Sequence, residues 1–349
     1  MAVYAVAFVI ALVVTYAFTP IVKILAIRIG AMDKPDARKV HHGSIPRLGG
    51  LAIFIGYAVA AGYSVNDASG LKGLLLGSLV LVAVGIWDDV KQIGPKTKLL
   101  GQILAALIIV LAGDRVEFIS LPWGGMIYLG YLSIPLTVFW IVGFTNIVNL
   151  IDGLDGLAAG ISLISCLAIF TALLSLGQRD LAVLTLALAG AACGFLRYNF
   201  NPAKIFMGDT GSMLLGYTMA SISVIGVVKT AATISLVVPV IVLGLPILDT
   251  TFAIIRRRIN GRPVFKPDKG HVHHRLLAMG LSQKQAVLLM YAVTAVLGCV
   301  AVVVTRVNAL VGIGLVLLML IVCVFMADRI GVMAKDRPAT TETGKNGNK

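Results

Sequence analysis

The sequence predicts an all-α integral membrane protein of about eleven spans, with ten as the lower count, on three observations. Of its 349 residues 58% are hydrophobic and only 13% charged, far more apolar surface than a soluble domain of this size needs for a core. Apolar runs of about 16–24 residues recur along most of the chain, near the length that a helix rising 1.5 Å per residue needs to cross roughly 30 Å of hydrocarbon. The basic residues, which give a net charge of +13, fall into particular loops and form no single stripe. That pattern is a topology signal and argues against nucleic acid as a partner.

Taken in order, the predicted spans are 3–26, 48–64, 71–87, 99–112, 131–148, 157–176, 181–196, 211–228, 231–255, 286–305 and 309–327. The first has no Lys or Arg before Lys23 and no small-residue cleavage site, so it reads as a spanning helix and not as a signal peptide. With the N-terminus outside, one face receives about two dozen of the 29 Lys and Arg, against Lys72, Arg115, Arg179, Lys229 and Arg306 on the other. The richer face is the cytoplasmic one. A single polytopic domain over 1–333 therefore carries inner loops at 28–47, 88–98, 149–156, 197–210 and 256–285, and 334–349 is expected to be a disordered basic tail. Outside, "VEFISLPWGGMIYLGYL" reads as a small β-hairpin near 116–130, turning at Pro122 to Gly125. Pro246 should bend the ninth span near its inner end, with Asp249 one turn beyond either facing a groove or capping into solvent. Cys166, Cys193, Cys299 and Cys323 lie in apolar runs without metal spacing and read as small core hydrophobes.

Only 16 Asp and Glu are present, so their positions carry information. Asp88, Asp89, Asp152, Asp155, Asp209 and Asp249 all fall at inner span ends. In "NLIDGLDGLAAG" Asp152 and Asp155 are three apart and are expected on one helical face, where two bare charges about 6 Å apart repel by roughly 3 kcal/mol at an effective dielectric near 20. A cation or a raised pKa must offset that. "WDDVKQIGPKTKLLGQ" sets an acidic pair beside Lys91, Lys96 and Lys98, fit for a metal and a phosphate or simply a charged loop. In "NFNPAKIFMGDTGSMLLG", Asp209 opens an apolar helix, where free amides and a carboxylate suit a metal-bound phosphate, or where Asp209 is a plain N-cap. Asn146 and Asn149 are neutral amides fit for a nucleotide or phosphate, or for helix-end backbone groups.

Two inner loops supply the basic side. "RRRINGRPVFKPDKGHVHHRLLAMG" holds His271, His273, His274 and Arg275, whose tight spacing and flanking arginine favour phosphate or base recognition over zinc. "DKPDARKVHHGSIPRLGG" adds Lys39, His42 and Arg47. Carboxylates ringed by Lys, Arg and His fit Mg²⁺ held between carboxylates and a diphosphate, because oxygen ligands favour a hard cation. A soluble phosphate compound and a lipid with its head group at the interface are then the two substrates.

Five ordered motifs, "DKPDARKVHHGSIPRLGG", "WDDVKQIGPKTKLLGQ", "NIVNLIDGLDGLAAG", "YNFNPAKIFMGDTGS" and "PDKGHVHHRLLAMG", together resemble the polyprenyl-phosphate N-acetylhexosamine-1-phosphate transferases, glycosyltransferase family 4. The resemblance implies ten or eleven helices, a catalytic face in the cytoplasm of a bacterial plasma membrane, and Mg²⁺ or Mn²⁺. It also implies transfer of a sugar 1-phosphate from a UDP-sugar to a polyprenyl phosphate with release of UMP. Carried residue by residue, it makes Asp209 the strongest metal ligand, with Asp152 and Asp88 in the same set. Asp88 and Asp89 fall beside the lipid phosphate, and Asp88 is the base or orienting group. Asn149, Asp152 and Asp155 line the nucleotide diphosphate, Phe206 and Asn199 hold uracil, and His271, His273, His274 and Arg275 contact the diphosphate sugar. Lys39, His42, Arg47 and Lys98 join the substrate-binding set. HVHHR after PDKG is similar to the branch that initiates teichoic acid and related polymers with UDP-GlcNAc on undecaprenyl phosphate. The alternative is the phospho-MurNAc-pentapeptide transferases. After the DD pair only Gln92 stands where some relatives carry another acid or amide, so a third carboxylate in that loop is not expected. Surrounding lipid is a partner, and a homodimer is open.

A cation-coupled transporter is the rival from another class, but its acids would tend toward the bilayer midplane. A phosphatidyltransferase would need DGxxAR with a later DxxxD, and an intramembrane aspartyl protease GxGD; neither pattern is present.

Overall fold

The computed structural model describes residues 2–33, 43–64, 69–121, 124–230, 234–259, 261 and 270–331. The chain is an all-α membrane protein. Its helices are α1 (Ala2–Ile29), α2 (Gly49–Ser64), α3 (Ser69–Lys91), α4 (Pro95–Leu111), α5 (Ser133–Leu150), α6 (Leu157–Ser175), α7 (Arg179–Asn199), α8 (Gly208–Thr230), α9 (Ile234–Val242), α10 (Gly244–Ile259), α11 (Val272–Ala278), α12 (Gln283–Val304) and α13 (Ala309–Arg329). Local chemistry marks several starts. Pro95 opens α4 where its missing N–H costs nothing, a Ser282–Gln285 capping box opens α12, and the Asn308 side chain caps α13.

Among the described residues eight helices are long and apolar enough to cross a membrane, and the α9–α10 pair makes a ninth if it is one broken span. Of the other expected spans, α2 has 16 residues and α4 has 17. The break between α9 and α10 is a bend of 71° at Leu243, in the middle of the predicted ninth span and upstream of the expected position. Pro246 lies in the first turn of α10, where it needs no N–H, while Pro239 withholds a bond inside α9. The helix therefore parts between the two prolines.

The centre of the bundle is α8, with 94% of its most apolar stretch buried, against 6% for α13 at the periphery. Side chains such as Val9, Val13, Leu310 and Ile321 face outward, as lipid contact requires. The hairpin is present as β3 (Phe118–Ser120) against β4 (Met126–Tyr128), antiparallel; Pro122 and the tail 334–349 lie outside the described residues. A second, unforeseen ladder pairs β1 (Met32–Asp33) with β2 (Ile45–Pro46). It delivers Arg47 into a bridge with Phe206. The four cysteines are free, but only Cys166 is buried and Cys299 is exposed on an outward face, so they do not all serve the core as expected. Where lipid is the solvent, an apolar run carries no inside-or-outside signal.

Candidate active site

The C-terminal ends of α3 and α5, the start of α8 and the segment before α11 converge at one end of the bundle. Close approach of α2, α3 and α8 depends on glycine. A Cβ on Gly50 would lie 2.0 Å from the Gly211 nitrogen, and one on Gly85 2.4 Å from the Thr210 Cα. With backbones this close, the end of α3 meets the start of α8. There the Asp89 carboxylate accepts the N–H groups of Asp209 and Thr210 at 3.0 and 3.2 Å and the Thr210 hydroxyl at 2.6 Å. Gly208, at φ 69°, makes the turn, and any Cβ there would strike Asp89. The amides expected to be free for a phosphate are thus taken by Asp89, and Asp209 does not cap its own helix. Its carboxylate faces the cavity instead.

Two cations tie the acids together. Arg47 contacts Asp33 at 3.3 Å, Asp88 at 3.4 Å and Asp89 at 3.2 Å. Lys98 reaches Asp88 at 2.9 Å and Asp209 at 2.6 Å. Burial alone would lower the Arg47 pKa, but Asp89, Asp209, Asp33 and Asp88 overcome it and raise it. With all four carboxylates ionised, the two cations leave two negative charges on the group. Oxygen atoms of Asp88, Asp89 and Asp209 lie within 4.8 Å of one another. An all-oxygen donor set with a residual charge of minus two fits a hard divalent cation.

Beside this cluster opens a cavity of about 350 Å³. Of the sequence-predicted residues, Arg47, Asn149, Asp152, Asp155, Asn199, Phe206, Asp209, His273 and His274 line it. Asp88, Asp89 and Lys98 stand behind Asp209, while His271 and Arg275 are not part of the lining. Lys39 and His42 lie outside the described residues. Asp33 and Gln283 also line it and carried no role in the sequence reading, while Gly153, expected to leave room for a phosphate close to the backbone, lines it too. Asp33 sits in a quoted motif, and its signal was an acid opening a basic loop that needed a partner.

Residues 151–156 form a turn between α5 and α6, not the helical face expected for the two aspartates. Gly156 closes it at φ 79°. The two acids consequently have different environments. Asp155 accepts from the Asn201 side chain at 3.0 Å and the Ala203 N–H at 2.9 Å, which pins the 200–204 loop. Asp152, partly open to the surface, has its pKa pushed up to about 8, first by desolvation and then by Asp209, Asp89 and Asp155, against the pull of Arg47. The expected repulsion from Asp155 is thus the last of the causes that raise it, after desolvation, Asp209 and Asp89.

The neutral amides divide similarly. Asn149 donates to Ser212 at 2.8 Å beside the cavity, but Asn146 pairs with Gln102 at 2.7 Å beneath it. Asn199 accepts from the Gly156 N–H at 3.1 Å and donates to the Ile205 carbonyl at 3.0 Å, so its amide braces two loops. Across the cavity, His273 is 3% exposed and its Nδ1 has no partner among the described residues. Burial, then His274, lowers its pKa to about 3. Gly153 makes room for this ring: a Cβ there would lie 2.8 Å from its Nε2. A second cavity, about 390 Å³, lies between α10, α11, α12 and α13 and is apolar apart from Asp249. Val272 and Leu276 of α11 line it, so one short helix separates the two cavities.

The model of the family described as Glycosyl transferase family 4 matches residues 71–227. The chain is 43% identical, over 96% of its length and 94% of the relative's, to a probable undecaprenyl-phosphate N-acetylglucosaminyl 1-phosphate transferase of Bacillus subtilis. It is 40% identical to a decaprenyl-phosphate N-acetylglucosaminephosphotransferase of Mycolicibacterium smegmatis, over 80% of this chain and 77% of that one. An undecaprenyl-phosphate alpha-N-acetylglucosaminyl 1-phosphate transferase of Salmonella typhi is 31% identical over 80% and 77%. With similarity along nearly its whole length and the motif residues gathered at one cavity, the chain belongs to glycosyl transferase family 4.

Proposed function

We propose that the chain transfers N-acetylglucosamine 1-phosphate from UDP-GlcNAc to undecaprenyl phosphate at the cytoplasmic face of the bacterial plasma membrane. UMP is released, and the lipid product begins teichoic acid or a related envelope polymer. The observation that carries this reading is one cavity flanked by an Asp–Arg–Lys cluster with surplus negative charge and by His273 and His274. An apolar cavity behind the histidines supports a lipid as the second substrate.

Asp88 and Asp209, with Asp152 beside them, would hold Mg²⁺ or Mn²⁺, and such an ion when bound supplies positive charge to the diphosphate oxygens. A lipid phosphate oxygen attacks the sugar-linked phosphorus; the bond from that phosphorus to its bridging oxygen breaks, and the electron pair leaves on UMP. The acceptor needs little deprotonation, because a phosphomonoester loses its second proton at a pKa of about 6. Asp88, held by Lys98 and Arg47, accordingly orients those two cations. Lys98 and Arg47 bring two anions together and stabilise the charge that spreads over the phosphoryl oxygens. His273 stays neutral and serves as a hydrogen-bonding wall. Phe206 offers a flat face for uracil, while Asn199 keeps the floor beneath it in shape.

Purified protein given Mg²⁺, undecaprenyl phosphate and UDP-GlcNAc should release UMP, and should release none when UDP-MurNAc-pentapeptide replaces UDP-GlcNAc. Absence of UMP with either donor would overturn the reading, and release only with the pentapeptide would move the chain to the peptidoglycan branch. Asp209→Asn should abolish turnover with the fold retained. A labelled phospho-enzyme trapped in single turnover would replace direct displacement by a two-step path.

A further inference from the structure

At seven residues α11 is too short to hold its own direction, and the element that holds it is α10. Asp249 on α10 is 2% exposed. Its Oδ2 lies 2.9 Å from Nδ1 of His271, and its Oδ1 accepts the Val272 N–H at 2.8 Å. Two turns along the same face, Arg256 packs so tightly that a Cβ on Gly270 would lie 2.2 Å from its guanidinium. The entry to α11 is thereby clamped at both ends. His271 is not in the cavity wall; its ring stands 5.8 Å from that of His273 and within 6° of parallel. It backs the ring that faces the substrate cavity.

We propose that Asp249 is a positioning residue for the transfer reaction, acting through His271 to set how His273 and His274 meet the donor. This rests on the function proposed above. A carboxylate offers only acceptors, so His271 keeps its proton on Nδ1 toward Asp249, and both ring plane and tautomer follow. The bond to Val272 occupies the second oxygen and stops the carboxylate from turning away. An amide at 249 would offer one acceptor to two donors and turn its own N–H groups on the other.

With Mg²⁺, undecaprenyl phosphate and varied UDP-GlcNAc, Asp249→Asn should raise the KM for UDP-GlcNAc by about tenfold or more, as loss of a carboxylate that orients a histidine does elsewhere. His271→Gln should raise that KM likewise and leave the KM for undecaprenyl phosphate near the wild-type value, since His271, unlike Asp249, does not line the apolar cavity. The double variant should cost no more than the worse single one. In ¹⁵N-histidine spectra, assigned with His271→Gln, wild-type His271 should carry its proton on Nδ1, and Asp249→Asn should show a tautomeric mixture. Additive costs, an unchanged KM for UDP-GlcNAc or an unchanged His271 tautomer would each overturn the proposal. Should Asp249→Asn fail to fold, His271→Gln leaves the Asp249–Val272 bond intact, and an unchanged KM in that variant alone would overturn it. The spectra need no substrate, so wild-type protein that released no UMP would remove the proposed function and leave the test of Asp249 standing.

Discussion

Arg47 holds three carboxylates with one planar guanidinium, a geometry that an ammonium cannot copy. Arg47→Lys should therefore lower kcat/KM by about 10²-fold although the charge is kept, measured as UMP release beside a thermal melt. Asp152 gives a pH signature. Its pKa in the fold, about 8, exceeds the ordinary value of roughly 3.9, so the folded state binds the extra proton and the stabilisation is lost as pH rises through about 8. In EDTA the melting temperature should fall between pH 6 and pH 9, and Asp152→Asn should flatten that slope; an equal slope in both proteins would refute the assignment. Single residues were the hardest to read from sequence. That acids would cluster was legible, because acids are scarce in so apolar a chain. That Asp89 caps α8, that Asp249 holds His271 and that Asn199 braces two loops was not, since each bond joins groups 22 or more residues apart or spends a side chain on backbone.

At the scale of elements, α8 starts where α2 and α3 touch its backbone. Gly85→Ala puts a methyl group 2.4 Å from the Thr210 Cα, which forces α8 away from α3. The expected result is a stability loss of about 1–3 kcal/mol from overpacking together with a large fall in turnover, because Asp209 moves with the helix start. Gly62→Ala, which meets nothing within 4 Å, is the control and should leave both unchanged. Helix existence was legible almost throughout, since length and apolarity suffice to mark a span. The bend falls at Leu243, in mid-span and not near the inner end, because Pro246 acts one turn before itself, where it leaves the Val242 carbonyl without its N–H.

For the whole molecule, the uneven distribution of Lys and Arg predicts which end faces the cytoplasm. In a background without native cysteines, Lys284→Cys should be labelled by an impermeant maleimide only after cells are opened, and Met126→Cys in intact protoplasts. The reverse pattern would invert the topology and place the cavity outside. The same bundle carries its charge economically: Asp114, after α4, feels Lys229 at the far end of α8, away from the Asp–Arg–Lys cluster. Fold class was legible because lipid imposes one strong rule on sequence. Which loop rests on which was not, since that depends on packing between distant helices.

The short α11 keeps a polar and an apolar cavity apart, with His273 and His274 on one side and Val272 and Leu276 on the other. An α-helix with its side chains is about 10–12 Å across. An inhibitor built from a uridine-like head and a hydrocarbon tail, joined by a polar linker of about that length, could fill both cavities in one molecule. Its potency should rise steeply as the linker reaches that span and decline slowly beyond it.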